Sequence, residues 1–428
     1  MVSGELRQAW GGRVSGWRDP LDGPMAEVAA RYGQRLTRSD VGMVQARLAA
    51  LGLARPKLTV VVVGSNGKTS TATYLSDLFA HAGLRTGLYT SPHIAYWGER
   101  VRVDDVPVDG VRLVEAVREI DAIVQGDERF RFFDLLTLAA AKEFEAAAVD
   151  VAVYEAGIGG RADTTRALRP ELVVLTSVAL EHTQVLGETE DEILRHKLDV
   201  APPGATVVAG SLPVRLAAVA GEHSRFAGSD LIIAGPGPID QNGVPWYLAQ
   251  NWQLARGAAA LGLARFGREL PEGAAPRGIY GRWSTVTREG VEYVLDVAHN
   301  PQAWEAFLRE LRSRLRDRPA VAVVSVTTER SVDQLVDAVA DSGLFSKVWA
   351  TTTSVRPTHD PELVAAAFVD AGVAAGSAAT PADALEQATA FARDHGVKVA
   401  IFGSTFLVTD AMSWLGEAPR FGGRDART

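Results

Sequence analysis

The sequence predicts an α/β protein of two domains, and three observations support this. From Leu58 onward, short β-branched runs alternate with longer stretches of helical periodicity, which is typical of a mostly parallel sheet with helices on both faces. A Gly- and Pro-rich segment, 271–278, interrupts the alternation. The 428 residues exceed the roughly 100–200 of one ordinary domain. We therefore expect domains over 1–277 and 284–428, joined by a linker at about 271–283.

The first domain should begin with irregular sequence followed by a helix over Ser39 to Leu51, whose apolar residues recur at helical spacing. Strands and helices then follow in turn. They are predicted at Leu58–Val63 (strand), Lys68–Ala82 (helix), Thr86–Tyr89 (strand), Asp134–Ala148 (helix), Val149–Glu155 (strand) and Leu172–Thr176 (strand).

The alternation restarts after the linker and predicts a second, smaller α/β domain. Its strands are expected at Tyr293–Val297, Ala320–Val326, Lys347–Thr351 and Lys398–Phe402, and its helices near Pro301–Leu315, Ser331–Ala340, Pro361–Ala371 and Pro381–Arg393.

Composition excludes several classes of protein. The longest aliphatic run, Val60 to Val63, is far shorter than the roughly 18 residues of a membrane span. The N-terminus carries charges at Glu5, Arg7 and Arg13 and no apolar signal region, so we expect a cytoplasmic protein without a membrane partner. The absence of cysteine excludes thiol nucleophiles and Cys-based zinc sites. A net charge of -8 argues against a nucleic-acid partner.

The strongest local signal is the segment Gly64-Ser65-Asn66-Gly67-Lys68-Thr69-Ser70 between an apolar strand and a helix. A glycine turn at a helix N-terminus directs backbone N–H groups at an anion, Lys68 adds a positive charge, and the hydroxyl of Thr69 or Ser70 suits Mg²⁺. The common phosphate-loop spacing needs a glycine where Val62 stands, so this loop is a shortened variant. It predicts a triphosphate site.

This loop resembles that of the Mur ligase superfamily, and later segments narrow the resemblance to the folylpolyglutamate and dihydrofolate synthases. Those segments stand in the family's order over roughly residues 30 to 410. They are Gly87–His93 with Glu99–Arg102, Tyr154–Asp163, Thr176–Thr183 with Leu186-Gly187, Glu192–Lys197, Gly281-Arg282 and Leu295–Pro301.

The resemblance implies a P-loop ATPase domain with a mostly parallel sheet, followed by a smaller Rossmann-like domain. It also implies an ATP-dependent ligase that activates a carboxylate as an acyl phosphate and joins it to an amino acid, with glutamate favoured. Two lobes closing on a Gly- and Pro-containing linker would exclude the water that hydrolyses an acyl phosphate. We expect a monomer acting on small molecules.

The family match also implies roles for single residues. Ser70, Glu155, His182 and Lys197 would hold magnesium, with two sites expected and Lys197 carbamylated into a carboxylate-like ligand. From the residues alone, Glu155 is an acid at the end of a buried strand, where ligands gather in open α/β sheets, and Lys197 reads as an exposed helix lysine. Arg282 would reach the phosphates, Asp296 the ribose, and His299 the phosphates; otherwise Asp296 and His299 are simple turn residues.

The acceptor pocket is expected to involve Ser91, Pro92, His93, Phe133 and Asp163. Here the chain departs from the family, because Arg131 and Asp134 replace a threonine and a glutamate, and Arg166 falls after the Gly159-Gly160-Arg161 turn. Further departures are Glu181 in place of aspartate, Ala255 at the expected position of an asparagine near the adenine, and Glu329-Arg330-Ser331 in place of DKD.

Three interpretations stay open. One is a divergent folate enzyme, which the sequence slightly favours. Another is a paralogous ligase of secondary metabolism in which Arg131 and Arg166 pair with a more anionic acid, although both arginines could equally point to solvent. The third is a non-catalytic nucleotide-binding module, which would not need the full set of catalytic residues.

Overall fold

A computed structural model describes residues 22–32, 39–235, 243–315 and 318–417. Contacts divide the chain into two compact units, with the boundary between Pro276 and Arg277. This boundary lies inside the Gly- and Pro-rich segment. Within the described ranges, no helix is both long and apolar enough to span a membrane. The N-terminal charges at Glu5, Arg7 and Arg13 lie outside the described residues.

The first unit is built on an eight-stranded sheet of order β4-β3-β2-β5-β1-β6-β7-β8. Strands β2, β5, β1, β6, β7 and β8 run parallel, whereas β3 and β4 pair antiparallel at one edge. The strands are β1 (Leu58–Val63), β2 (Thr86–Tyr89), β3 (Val101–Val103), β4 (Val106–Pro107), β5 (Val151–Glu155), β6 (Leu172–Leu175), β7 (Thr206–Ala209) and β8 (Asp230–Ile233).

Helices cover this sheet, and its central strands are buried throughout. The helices are α1 (Asp22–Tyr32), α2 (Val41–Leu51), α3 (Lys68–His81), α4 (Gly110–Val124), α5 (Phe132–Ala146), α6 (Thr183–Leu186), α7 (Glu190–Leu198), α8 (Val214–Ala227) and α9 (Trp246–Ala264). Short 3-10 turns lie at Trp97–Arg100 and Thr164–Leu168. Helix α9 packs on α3, where the rings of Tyr74 and Trp252 meet edge to face at 5.3 Å.

The second unit has a six-stranded sheet of order β13-β12-β11-β14-β10-β9, parallel except for the antiparallel edge strand β9. Its strands are β9 (Ser284–Arg288), β10 (Val291–Leu295), β11 (Ala320–Val324), β12 (Phe345–Thr351), β13 (Ala375–Ala378) and β14 (Val399–Phe402). Its helices are α10 (Pro301–Arg314), α11 (Val332–Ser342), α12 (Pro361–Asp370), α13 (Pro381–His395) and α14 (Thr405–Leu415).

The predicted fold class is confirmed, and each predicted strand and helix is present with ends shifted by at most a few residues. The sequence interpretation missed several elements, including α1 in a segment expected to be irregular. They are the helices α1, α4, α6, α8, α9 and α14 and the strands β3, β4, β7, β8, β9 and β13. Long helices also start where local capping signals place them. Asp40, for example, accepts a hydrogen bond from the Met43 amide and caps α2.

Candidate active site

Four adjacent parallel strands, in the order β2-β5-β1-β6, end at the same edge of the first sheet. In open α/β sheets this edge is where ligands bind. The residues that follow or end these strands are the ones singled out from the sequence: the loop starting at Gly64 after β1, Ser91 after β2, Glu155 at the end of β5, and Thr176 after β6. Topology therefore gathers segments that are up to about one hundred residues apart in the chain.

The phosphate loop, residues 64–67, needs glycine at both ends. Gly64 has φ of 146°, and a Cβ there would lie 1.9 Å from the Thr176 hydroxyl oxygen. Gly67 has φ of 83° and precedes α3, and a Cβ there would lie 2.5 Å from the Asn251 side-chain oxygen. Only glycine fits this backbone without strain. The loop thus presents the N-terminus of α3, a ready anion site, at the sheet edge.

The segment that follows β6 holds the loop in place. The Thr176 hydroxyl lies 2.5 Å from the carbonyl oxygen of Asn66, and the Ser177 hydroxyl accepts a hydrogen bond from the Asn66 amide at 2.9 Å. The Ser65 amide donates to the Ser177 carbonyl at 2.9 Å, and the Ser65 hydroxyl accepts from the Ala179 amide at 3.0 Å. Sequence reasoning missed this support, although Thr176 and Ser177 belong to a segment that it noted.

Lys68 and Thr69 are the first residues of α3 and make polar contacts within the site. The Lys68 ammonium donates to the carbonyl oxygens of Gly64 at 2.8 Å and Ser65 at 3.1 Å, so its charge lies against the phosphate loop. The Thr69 hydroxyl hydrogen-bonds both carboxylate oxygens of Glu155, at 2.9 and 3.0 Å. Ser70, the predicted magnesium ligand, is buried. The hydroxyl that bonds Glu155 belongs to Thr69.

Glu155 links the phosphate loop to the loop after β2. Its side chain is 2% exposed, and it also accepts a hydrogen bond from the Ser91 amide at 3.1 Å. Both oxygens of this buried carboxylate accept hydrogen bonds, and a carboxylate is a hard oxygen donor of the kind that Mg²⁺ prefers. The structure therefore brings together Thr69, Glu155 and Ser91 from three of the four strand ends.

Lys197 lies in α7 and is entirely buried, contrary to the exposed helix lysine that composition alone suggests. Its ammonium donates to the Glu181 carboxylate at 2.9 Å and to the Ile158 carbonyl at 3.3 Å. Burial lowers the pKa of Lys197, and the charge of Lys68 acts in the same direction. Although burial opposes it, the charges of Lys197 and Lys68 hold the pKa of Glu181 at about 2.

His182 directly follows Glu181 and precedes the one-turn helix α6, with a left-handed φ of 45°. Its charge contributes to the low pKa of Glu181, behind the larger contributions of Lys197 and Lys68. Within the described ranges, no three His, Asp or Glu side chains converge closely enough to hold a metal ion by themselves. Any metal here would need the hydroxyl groups or a modified Lys197 as additional ligands.

The predicted acceptor residues divide into two groups. Ser91 and His93 lie in the loop after β2, with Pro92 exposed between them, and the His93 ring packs against Trp97 at 4.7 Å. Phe133 packs against Tyr89 at 5.7 Å and over the backbone of Gly157. Tyr89 is fully buried, whereas the rings of His93, Trp97 and Phe133 are partly exposed and are suited to contact an aromatic acceptor.

Asp163, Arg131 and Arg166 have structural partners instead. Asp163 is buried and accepts from the amides of Gly159 at 2.8 Å and Thr165 at 2.9 Å. Arg131 donates to the backbone carbonyls of Glu128 and of Phe130, the latter at 3.0 Å. The exposed Arg166 donates to the carbonyl of Arg161 at 3.1 Å. Arg131 and Arg166 therefore each donate at least one hydrogen bond to a backbone carbonyl.

One asparagine of α9 lies beside the phosphate loop and was not singled out from the sequence. The residue expected near the adenine, Ala255, is buried in α9, and its role stays a prediction. The asparagine side chain beside the phosphate loop is that of Asn251, about one helical turn earlier, facing Gly67. A four-residue offset keeps the same helix face, which explains why periodicity did not distinguish the two positions.

The predicted residues of the second unit cluster at the carboxyl end of β10. Asp296 is buried, and its two oxygens accept from the amides of Trp283 and Ala298, both at 2.9 Å. The neighbouring Arg282 is partly buried, and one of its nitrogens lies 3.5 Å from the Gly281 carbonyl oxygen. The His299 Nδ1 atom lies 2.9 Å from the Val297 carbonyl oxygen. Within this unit, Asp296 fixes the turn that carries Arg282.

Comparisons with known proteins bear on this geometry. Residues 281–405 match the family model described as Mur ligase, glutamate ligase domain. A probable bifunctional folylpolyglutamate synthase/dihydropteroate synthase of Halobacterium salinarum is 34% identical over 388 residues, which are 82% of this chain and 46% of that protein. Over most of its length the chain is similar to folylpolyglutamate and dihydrofolate synthases, and its residues 281–405 match the Mur ligase model.

Two further proteins extend the similarity. The dihydrofolate synthase/folylpolyglutamate synthase of Escherichia coli is 28% identical over 324 residues, covering 68% of this chain and 74% of that enzyme. A Yersinia pestis bifunctional synthase structure superposes with a TM-score of 0.79 at 22% identity, covering 94% and 100% of the two chains, and has the same fold. The chain spans about half the length of the Halobacterium relative.

Proposed function

We propose that this chain is an ATP-dependent amide ligase that activates the carboxylate of a pterin acid and joins it to glutamate. The observation that carries the proposal is the strand-end cluster in which Lys68 lies on the phosphate loop while Glu155 bonds both Thr69 and Ser91. The names of the relatives, folylpolyglutamate and dihydrofolate synthases, support the reaction class. A non-catalytic nucleotide-binding module would not need this linked set of charged groups.

The reaction needs a carboxylate made electrophilic. An oxygen of the acceptor carboxylate attacks the γ-phosphorus of ATP, ADP leaves, and an acyl phosphate forms. Lys68 and the α3 N-terminus stabilise the negative charge that develops on the transferred phosphoryl group. The amine of glutamate then attacks the acyl carbon, the tetrahedral intermediate expels phosphate, and an amide is the product.

A divalent cation fits the donor set at the sheet edge. Glu155, Thr69, Ser70 and His182 offer oxygen and imidazole donors, and the cation would neutralise phosphate charge when it is bound. The Yersinia pestis structure was solved with AMPPNP and a Mn ion, which supports ATP and a divalent metal as the cofactors. A second magnesium would need Lys197.

The Lys197–Glu181 pair offers a physical reason why carbamylation of Lys197 and binding of a second metal ion should be coupled. An unmodified Lys197 neutralises Glu181 across 2.9 Å. The lowered pKa of Lys197 favours the neutral amine, which is the form that reacts with carbon dioxide. A carbamate would instead place a second anion beside Glu181, and only a cation between them would make that arrangement stable. We propose that carbamylated Lys197 and a second metal ion form together.

The acceptor is proposed to be a pterin acid and not a more anionic compound. The paralogue hypothesis relied on Arg131 and Arg166, which donate to backbone carbonyls. The partly exposed rings of Phe133 and Trp97 suit a planar ring. Ser91, Pro92 and His93 stay proposed contacts of the acceptor. Asp163 is proposed to act indirectly, by capping the turn over 164–168 and so fixing the backbone of the acceptor pocket.

The match to a glutamate ligase domain over 281–405 supports glutamate as the amine. Within the second unit, Arg282, Asp296 and His299 are proposed nucleotide contacts on the strength of the family resemblance. The monomeric state and the cytoplasmic location stay predictions.

The test is ADP formation by purified protein with Mg²⁺, ATP and L-glutamate, using dihydropteroate or tetrahydrofolate as acceptor and mass spectrometry of the product. We expect ADP and a product heavier by one glutamyl residue with at least one of the two acceptors. Turnover with dihydropteroate alone would make it a dihydrofolate synthase. No turnover with either, alongside turnover of a non-pterin acid, would move the protein to the paralogue class.

A further inference from the structure

The loop between β2 and β3, residues 90–100, is organised around a buried acid. The Glu99 carboxylate accepts hydrogen bonds from the amides of Ile94 at 3.0 Å, Ala95 at 2.6 Å and Tyr96 at 2.8 Å. Glu99 is buried, and burial raises its pKa even though these three donors act in the opposite direction. A charged group with three amide donors fixes the backbone of the loop.

Arg100, the next residue, is held by two of the loop's rings. Its Nε atom donates to His93 Nδ1 at 2.8 Å, and its guanidinium carbon lies 4.5 Å from the centre of the Trp97 ring. Burial, followed by the Arg100 charge, holds the pKa of His93 well below its ordinary value, so the ring stays a neutral acceptor. Within the described ranges, no residue bonds the two Nη groups of Arg100.

The position of Arg100 follows from the strand pairing around it. The Thr90 amide donates to the Arg100 carbonyl at 2.9 Å, which continues the β2–β3 ladder. The next residue, Ser91, donates to Glu155. Arg100 therefore lies beside the point where the loop 90–100 contacts the proposed metal ligand Glu155, and its charge interacts with Glu155.

Three other arginines in this region are bonded through Nη nitrogens, whereas Arg100 is bonded through Nε. Arg102 forms a buried ion pair with Asp105 at 2.9 Å. Arg131 and Arg166 donate to backbone carbonyls. Arg100 thus combines a fixed plane, a permanent positive charge and available Nη donors, which is the arrangement that binds a carboxylate through two parallel hydrogen bonds.

We propose that the Nη groups of Arg100 bind the carboxylate of the acceptor acid and position it for attack on the γ-phosphate. His93 and Trp97 orient the guanidinium, and Glu99 orients the loop that carries all three. This assignment rests on the proposed function, which supplies the acid and its reaction. It places carboxylate recognition on the loop after β2 and not on the arginines that distinguish this sequence from its relatives.

The experiment measures binding without chemistry, by calorimetric titration in the presence of Mg²⁺ and AMPPNP. The probes are dihydropteroate and its carboxamide, which differ only in the charged group. For wild-type protein we expect the acid to bind roughly 10- to 100-fold more tightly than the carboxamide, because charge-assisted hydrogen bonds are lost in the latter.

In Arg100→Gln, the acid should bind as weakly as the carboxamide, while affinities for the carboxamide and for AMPPNP stay at the wild-type level. Arg100→Lys, which keeps the charge but not the paired donors, should fall between them. Arg118→Gln is the matched control, because Arg118 is 55% exposed in its side chain and lies 3.8 Å from an exposed Glu27. It should bind both probes like the wild type.

Three results would overturn the Arg100 assignment alone. They are an Arg100→Gln variant that keeps the wild-type preference for the acid, an Arg100→Gln variant that loses affinity for acid and carboxamide equally, and tight and equal binding of both probes by wild-type protein. Wild-type protein that binds neither probe would overturn the proposed pterin acceptor and the assignment with it.

Discussion

The phosphate loop and the acceptor loops lie at one edge of the first sheet but are held in different ways. The phosphate loop is fixed by glycine conformations and by short hydroxyl and backbone bonds to 176–179. The acceptor loops are organised by buried acids: Glu99 gathers three amides, and Asp134 accepts from the Ser39 hydroxyl and the Arg131 amide.

This difference separates chemistry from selectivity. The backbone conformation of the phosphate loop can be adopted by few sequences. The loop can therefore be recognised from its residues alone. At the acceptor end, side chains decide where donors and acceptors point, so substitutions in the sequence do not reveal which residue meets the ligand. The following substitutions test this contrast.

Lys68→Ala should cause the largest loss of activity. Removing the ammonium that lies on the Gly64 and Ser65 carbonyls should lower kcat for ADP formation by roughly 1000-fold, as expected when a group that stabilises transition-state charge is lost. Lys57→Ala is the control, because Lys57 is 74% exposed in its side chain. If Lys68→Ala turned over the acceptor at the wild-type rate, Lys68 would not be the residue that stabilises the transferred phosphoryl group.

Glu155→Gln tests the residue that joins the two regions. Glutamine keeps an oxygen acceptor for Thr69 and Ser91 but removes the negative charge, so the fold should persist. The Mg²⁺ concentration for half-maximal activity should rise by about 10- to 100-fold. The exposed Glu115→Gln serves for comparison. An unchanged Mg²⁺ requirement would show that Glu155 does not hold the metal.

Gly64→Ala measures how strictly the phosphate end depends on backbone shape. A new methyl group would overlap the Thr176 hydroxyl at 1.9 Å, which should cost about 1–3 kcal/mol in unfolding free energy beyond the conformational strain. Gly126→Ala is the control for a positive φ, at 72° and not 146°, because a Cβ there meets no atom within 4 Å. We expect urea titration to show a larger loss for Gly64→Ala, and nucleotide affinity to fall only there. Equal losses in the two variants would refute the close approach.

Arg131→Gln and Arg166→Gln should have the smallest effects. Because both side chains donate to backbone carbonyls, each change should alter the KM for the acceptor by no more than about twofold. Steady-state kinetics at saturating ATP measure this directly. A tenfold rise in KM for either variant would revive the hypothesis that these arginines pair with the acid.

The sequence predicted the fold because its signals are local. Apolar runs such as Leu58–Val63 and helix starts such as Lys68 depend on neighbouring residues, and these elements lie where expected. The helix over 246–264 was missed, although its Asn251 faces the phosphate loop. Its position against α3 is a tertiary contact that local periodicity does not encode.

The candidate site was predictable in its elements but not in its pairings. Thr69 and Ser70 are adjacent on a helix and point about 100° apart, so only coordinates show that Thr69 meets Glu155. Lys197 reads as a surface lysine until the fold buries it against Glu181. Arg100 stood inside a noted motif, and its role became visible only through its bonds to His93 and Trp97.

The central claim is that an oxygen of the acceptor carboxylate attacks the γ-phosphorus of ATP, and one isotope measurement tests it directly. Dihydropteroate labelled with ¹⁸O in its carboxylate is turned over with ATP and glutamate, and the released phosphate is analysed by mass spectrometry. An acyl phosphate requires transfer of one labelled oxygen to each phosphate formed. Amide product accompanied by unlabelled phosphate would contradict the account.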